Sequence, residues 1–428
     1  MKLNRSDWAA VILTVMITIA YWSGVNTVPF HPDESTQIFM SGDAETFFHN
    51  PLKLAWTNTI NSDPRQIYRL LDAPITRDLI GAGRALTNLP PLPVDWNWSE
   101  TWSQNDTAGA LPSSVLLQTA RFSVAWLFPL SLIFTYLIGK KIAGPRLGLL
   151  ALAALAANSL VLLHTRRAMA ESTLLFTTLL AVWSLISIQK RMWLAAIPAA
   201  LAIAAKQTSV ALVLAGVIWI SIQLINNKNL LFQNLGKYLA LILFITFFVN
   251  PFLWLQPASA AAASFSARQD LTTRQVSEFK LAAPGLVLET IPERALGLIA
   301  NLYFTPLQFN EVGNYLAQTE SAEAGYLADP LNTLLRSLPG GLIFLFLSMI
   351  GFILACLRIV KYGIKVQREL SILILCTLLI ALMILLTIPL SFQRYIIPLV
   401  PLTIFLIVYP LDQLLGFASK LLSEKLRS

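Results

Sequence analysis

The sequence predicts an all-α protein that crosses a membrane many times. Three observations predict it. Of the 428 residues, 56% are hydrophobic and only 13% are charged, with a mean hydropathy of +0.64. That is more apolar side chain than a soluble domain of this length hides in a core. Apolar runs recur at lengths near the ~20 residues that carry a helix across the hydrocarbon layer. Basic residues also alternate between the connecting segments as the positive-inside rule requires.

The first run, 8–24, follows the basic start "MKLNRSDW". It is long and no small-x-small cleavage site follows it, so it reads as a retained signal anchor. A polar stretch occupies 25–114. Six runs come next, at 115–138, 146–164, 171–189, 193–205, 207–225 and 237–256. The fifth and sixth of the whole series are short: either one interrupted segment or two helices meeting at Lys206. A second polar stretch covers 257–338, before runs at 339–357, 369–390 and 395–417. The expected division is a membrane module at 1–256 whose loop 25–114 carries the candidate site, a loop at 257–338, and C-terminal helices at 339–428. No inverted internal repeat of the kind many secondary transporters carry is visible.

Placing the N-terminus in the cytoplasm puts 16 basic and 4 acidic residues inside. Loops such as "GKKIAGPR" and "RIVKYGIKVQRE" carry the asymmetry. The net charge of +8 therefore reflects topology and anionic inner-leaflet lipids, not nucleic acid. Cys356 and Cys376 both fall in apolar runs, which leaves no disulfide framework or CxxC metal site.

Both long loops then lie outside. In "RQIYRLLDAPITRDLIGAGRAL", Ile67, Leu70, Leu71 and Leu79 have helical spacing, which predicts a helix in the membrane interface. "ARQDLTTRQVSEFKLAA" and "PERALGLIANLYF" in the second loop read the same way. Trp96, Trp98 and Trp102 read as membrane-belt aromatics, with a sugar-stacking surface as the alternative. Asn97 and Asn105 stand in N-x-S/T sequons.

Ionisable groups gather at the outer ends of the runs. His31, Asp33 and Glu34 follow the first. His164, Arg166, Arg167 and Glu171 lie between the third and fourth. Lys206 lies between the fifth and sixth, Asn250 ends the seventh, and Arg394 and Tyr395 follow the ninth. Charges at membrane depth cost several kcal/mol unless paired, wet or functional. Adjacent carboxylates at a Pro turn can take a proton from a hydroxyl and hold a hard cation. Arg suits phosphate by its fork, and Lys by its point charge. The set therefore suits a lipid-bound phosphate whose leaving group needs neutralising. Asp33, Glu34, His31 and His164 are the candidate ligands for a divalent metal (magnesium, manganese or zinc), the one cofactor expected. For each histidine a hydrogen-bonding or structural role is the other reading.

"FHPDE", "HTRRAMAESTLLF", "ALAIAAKQTS", "NPFLW" and "FQRYIIPLVPL", in this order and spacing, resemble the GT-C membrane glycosyltransferases. The nearest subgroup is the protein O-mannosyltransferase and aminoarabinose-transferase-like enzymes. The resemblance covers most of 8–256 and the final run; 257–338 resembles nothing. It implies a GT-C-type bundle of about ten transmembrane helices with interfacial helices in the two loops. It implies a phospholipid carrier-dependent, inverting transfer of a sugar from a polyprenyl-phosphate donor to an acceptor hydroxyl on a lipid, glycan or protein. Asp33 would be the general base and Glu34 its partner. Glu171 would stand where relatives carry an acidic residue. Arg166 or Arg167 would contact substrate or brace that carboxylate, and Lys206 and Arg394 would hold the donor phosphate. The expected location is the plasma (inner) membrane, with the site on the extracytoplasmic side. Acceptor contacts in the family often come from further domains and variable outer loops, so the acceptor stays open. A lipid or glycan transporter or flippase is the alternative class, and a non-catalytic envelope subunit a third. A transporter would place its charges near the midplane, whereas these cluster at outer ends.

Overall fold

The structure is a computed structural model that describes residues 4–57, 63–311, 313–334 and 336–425. Its described part contains twenty α-helices. They run α1 Arg5–Ser23, α2 Pro32–Met40, α3 Asp43–His49, α4 Arg65–Leu71, α5 Pro74–Leu86, α6 Trp102–Ala108, α7 Ser114–Ala125, α8 Leu127–Ala143, α9 Pro145–Ala156 and α10 Ser159–Thr165. The second half comprises α11 Ala170–Ser187, α12 Ala196–Ala205, α13 Val210–Leu224, α14 Lys228–Phe248, α15 Pro257–Ala282, α16 Ile291–Tyr303, α17 Leu316–Ala328, α18 Leu338–Tyr362, α19 Arg368–Thr387 and α20 Val400–Lys425.

Eight segments are long and apolar enough to cross a membrane. They correspond to all the expected runs but two. The run at 146–164 is α9 and α10, bent by 61°. The break falls at Asn158, whose side chain accepts from Val161 N and so starts a new helix. The run at 193–205 is a shorter apolar helix, Met192–Ala205. The ambiguity at Lys206 resolves as two helices, because Lys206 is in extended backbone between α12 and the turn that opens α13. One apolar core joins these helices, from Ala10 and Tyr21 on α1 to Phe405 and Tyr409 on α20.

The bundle has two polar ends. At one, Lys140 pairs with Asp7 at 2.5 Å and Arg146 with Asp412 at 2.6 Å. At the other, the two long loops pack on each other; this is the loop end. Arg167 joins them, donating to Pro29 O (3.2 Å) in the first and Phe309 O (2.8 Å) in the second. Trp96 Nε1 also donates to Asn314 across them.

Three expectations about the loops are corrected. The expected single interfacial helix is α4 and α5, separated at Asp72–Ala73. Both residues are extended, as the steric demand of Pro74 on its predecessor requires. Nor does α5 lie free on a surface. It buries Arg77 and Arg84, which are neutralised by Asp43 at 3.4 Å and Glu45 at 2.8 Å. Of the expected belt tryptophans, Trp98 is exposed but Trp96 is not. Trp96 is buried, with Trp102 5.6 Å away, Phe30 6.0 Å away and Tyr315 6.2 Å away. This packing fastens the loops together behind His31, whose ring is 5.9 Å from that of Tyr315. The Asn105 sequon is likewise used internally: its buried amide accepts from Asn97 N and donates to Asn97 O.

Candidate active site

"HPDE" is a helix start. His31 is the N-cap of α2 and Pro32 opens the helix. Asp33 N donates to His31 Nδ1 at 3.1 Å, and His31 N donates to Glu34 Oε2 at 3.1 Å. This is a capping box built on histidine instead of serine or threonine. It leaves the Asp33 side chain at the loop end with about a third of its surface open (32%).

Three segments then meet. Arg394, in the 3-10 turn Gln393–Ile396 before α20, pairs with Asp33 through Nη1 and stands 3.2 Å from Glu311 through Nε. His31 Nε2 lies 3.0 Å from the other oxygen of Glu311. Since Nδ1 accepts from the Asp33 amide, the ring proton is assigned to Nε2, which donates to Glu311. The result is a closed ring: Asp33 amide, His31, Glu311, Arg394, Asp33 carboxylate. Burial raises the Asp33 carboxyl, but the Arg394 charge, followed by His31, more than reverses this and holds it below the usual carboxylate range. Burial and the same two partners act likewise on Glu311.

Beside the ring, Lys206 Nζ pairs with Glu171 Oε1 at 3.0 Å. Lys206 lies 4.9 Å from the centre of the Tyr395 ring, and the Arg394 guanidinium lies 5.5 Å from the same ring. One aromatic thus separates two cations. A continuous chain runs Glu171, Lys206, Tyr395, Arg394, Asp33. These five expected residues come together from four places in the sequence.

The others do not join them in the expected way. Glu34 is completely buried, and both its oxygens are occupied. Oε1 accepts from Arg121 Nε and Ala168 N, each at 2.8 Å; Oε2 accepts from Arg121 Nη2 at 2.8 Å and from His31 N. That corrects Glu34 as catalytic partner or metal ligand: no lone pair faces a substrate. Arg166 and Arg167 are also buried as braces. Arg166 donates to Tyr21 O and Asn332 Oδ1, and Arg167 joins the loops as described.

The ligand candidates do not fit a metal ion. Glu34 is saturated and both nitrogens of His31 are engaged. His164 is buried with neither ring nitrogen hydrogen-bonded. Arg394 already occupies the cation position between Asp33 and Glu311. Among the described residues no group of three or more His, Cys, Asp or Glu side chains is arranged to hold a metal.

Sequence reasoning missed Glu311, Arg121 and Tyr315. Arg121 had a signal, a charge inside an apolar run. Glu311 sits in "QFNEVGN", where no periodicity or motif marks it.

No protein-family model matches the sequence, and no curated protein matches it. Solved structures do. One is the archaeal oligosaccharyltransferase AglB from Archaeoglobus fulgidus, in complex with an inhibitory peptide and a dolichol-phosphate. It has a TM-score of 0.51 and 13% identity, over 97% of this chain and 51% of that one. Another is an Archaeoglobus fulgidus oligosaccharyltransferase in complex with Zn and sulfate, with TM-score 0.52 and 13% identity over 95% and 50%. ArnT from Cupriavidus metallidurans bound to undecaprenyl phosphate follows, with TM-score 0.49 and 14% identity over 97% and 63%. The chain spans about half the length of the oligosaccharyltransferases it matches. It is thus an all-α polytopic membrane protein that shares the fold of the two oligosaccharyltransferase structures. The likeness is one of fold.

Proposed function

We propose that the chain is an inverting glycosyltransferase that moves a sugar from a polyprenyl-phosphate donor to an acceptor hydroxyl. The carrying observation is the contact of Asp33 with Arg394 across 361 positions of sequence, beside the Lys206–Glu171 pair. It puts one partly open carboxylate against Arg394, with a second cation, Lys206, on the same Tyr395 ring as that arginine. In this reading Asp33 Oδ accepts the hydroxyl proton as the acceptor oxygen bonds to the anomeric carbon. The bond from that carbon to the phosphate oxygen breaks on the opposite face. The electron pair leaves with the lipid phosphate, where Arg394 and Lys206 neutralise it. Glu171 holds Lys206 in place. No step passes through a metal, since the donor set does not fit one.

The AglB structure with the shared fold holds a dolichol-phosphate, which supports a lipid donor. In this reading the loop end faces the extracytoplasmic side of the inner membrane.

The test is to incubate membranes with a panel of radiolabelled polyprenyl-phosphate sugars, with and without chelator, and to follow which label moves. Transfer is expected from wild type, and none from Asp33→Asn, with the variant still folded and inserted. Undiminished transfer by Asp33→Asn, or transport of label across liposomes without any transfer, would refute the assignment.

A further inference from the structure

Glu311 lies in the stretch of sequence that resembles nothing, yet it touches Arg394, the arginine that faces the proposed base. We propose that Glu311 is a positioning residue: it tethers Arg394, so that the guanidinium can pass from Asp33 to the donor phosphate without leaving the site. The inference rests on the glycosyltransferase reading and deepens it.

One guanidinium lies between two carboxylates. Arg394 hydrogen-bonds Asp33 through Nη1, and its Nε lies 3.2 Å from Glu311 in an ion pair without an aligned hydrogen bond. These contacts are anchored very differently. The Glu311 segment is stapled to the Arg394 turn by reciprocal bonds: Gln308 N donates to Gln393 Oε1 at 2.8 Å, and Gln393 N donates to Gln308 Oε1 at 3.1 Å. Gln393 Nε2 also donates to Pro306 O at 2.6 Å. Further along, Leu288 N donates to Pro389 O and Ser391 N to Leu286 O, each at 2.8 Å, around an isolated antiparallel bridge. Glu311 and Arg394 therefore belong to one fastened unit. Asp33 belongs to the cap of α2, which meets this unit through His31, and its side chain is three to four times as open as that of Glu311 (32% against 9%).

An arriving lipid phosphate competes with both carboxylates for Arg394. It displaces the less anchored and more exposed one. Asp33 then loses its counter-charge in a partly desolvated site, which favours proton uptake from a hydroxyl. Glu311 keeps its ion pair with the guanidinium, so Arg394 stays in the site and presents its Nη edge to the phosphate. His31 holds Glu311 from the other side. In this way donor binding releases the base, and a free acceptor meets an Asp33 still paired with Arg394.

The experiment uses full-length purified protein. Turnover is measured with the labelled donor that wild type consumes, and binding with undecaprenyl phosphate. Glu311→Gln should lower kcat by roughly tenfold to a hundredfold, the scale of a misplaced catalytic group. The donor KM should move by less than about threefold, because removing a negative charge near the phosphate offsets the looser arginine. Asp33→Asn, which frees Arg394, should bind undecaprenyl phosphate at least as tightly as wild type. Adding Glu311→Gln to Asp33→Asn should then weaken binding, since no carboxylate is left to place the arginine. A wild-type kcat in Glu311→Gln, or unaltered binding in the double variant, overturns the tether. Should Glu311→Gln fail to fold, Glu311→Asp keeps the charge with a shorter reach and must still lose kcat; a wild-type value there overturns the proposal too. Transfer by Asp33→Asn alone would instead overturn the underlying reading, whatever Glu311 does.

Discussion

Adjacent residues Asp33 and Glu34 are chemically alike and structurally opposite. Glu34 is at the third helical position of α2, where the capping box turns it inward to meet Arg121. Asp33, one position earlier, points along the open side of the cap. A buried carboxylate and guanidinium that have lost water depend on each other, and removing one leaves an uncompensated charge. Arg121→Ala should therefore cost about 3–5 kcal/mol of folding stability, read as a lower unfolding midpoint in detergent. The Arg121→Ala/Glu34→Ala pair should cost less than the two single changes together. An Arg121→Ala protein as stable as wild type would show that Glu34 is not held in this way. Arg121 also donates to Val25 O and Val28 O, so its loss would loosen the exit of α1 as well.

Between elements, small residues decide how closely helices approach. A Cβ built at Gly139 on α8 would lie 2.7 Å from the Gly148 Cα on α9. On α18, a Cβ at Gly351 would collide with the carbonyl oxygen of Leu406 on α20. A backbone carbonyl cannot swing aside as a side chain can. In a membrane, where apolar burial gives helices little reason to associate, such close backbone contact carries much of the packing. Gly351→Leu should part α18 from α20 and lower the unfolding midpoint in detergent, whereas Gly236→Leu, where nothing lies within 4 Å, should leave it unchanged. Equal effects at the two positions would contradict the close packing. Since α20 follows directly on the Arg394 turn, a shifted α20 should also depress transfer.

For the whole molecule, ion pairs sort the two ends of the bundle. Asp7, Lys140, Arg146 and Asp412 meet at one; Asp33, Glu171, Lys206, Glu311 and Arg394 gather at the other. In a chain lacking Cys356 and Cys376, Leu86→Cys at an exposed site on α5 should react with a membrane-impermeant maleimide on intact cells, and Lys141→Cys should not; the reverse pattern would invert the topology. Much of this was legible in the sequence. Hydropathy along the chain marked the crossing helices, because each must by itself bury its backbone in lipid. The basic loops marked the ends, and "HPDE", "AAKQ" and "FQRY" marked residues that do meet. What tertiary structure alone decided was which charges stay available. Glu34, Arg166 and Arg167 turned out to be braces, and Glu311 entered from 280 positions away to face His31. Span, cap and charge asymmetry are local properties written in neighbouring residues. Which carboxylate a given arginine neutralises depends on segments distant in sequence, and no local pattern records that.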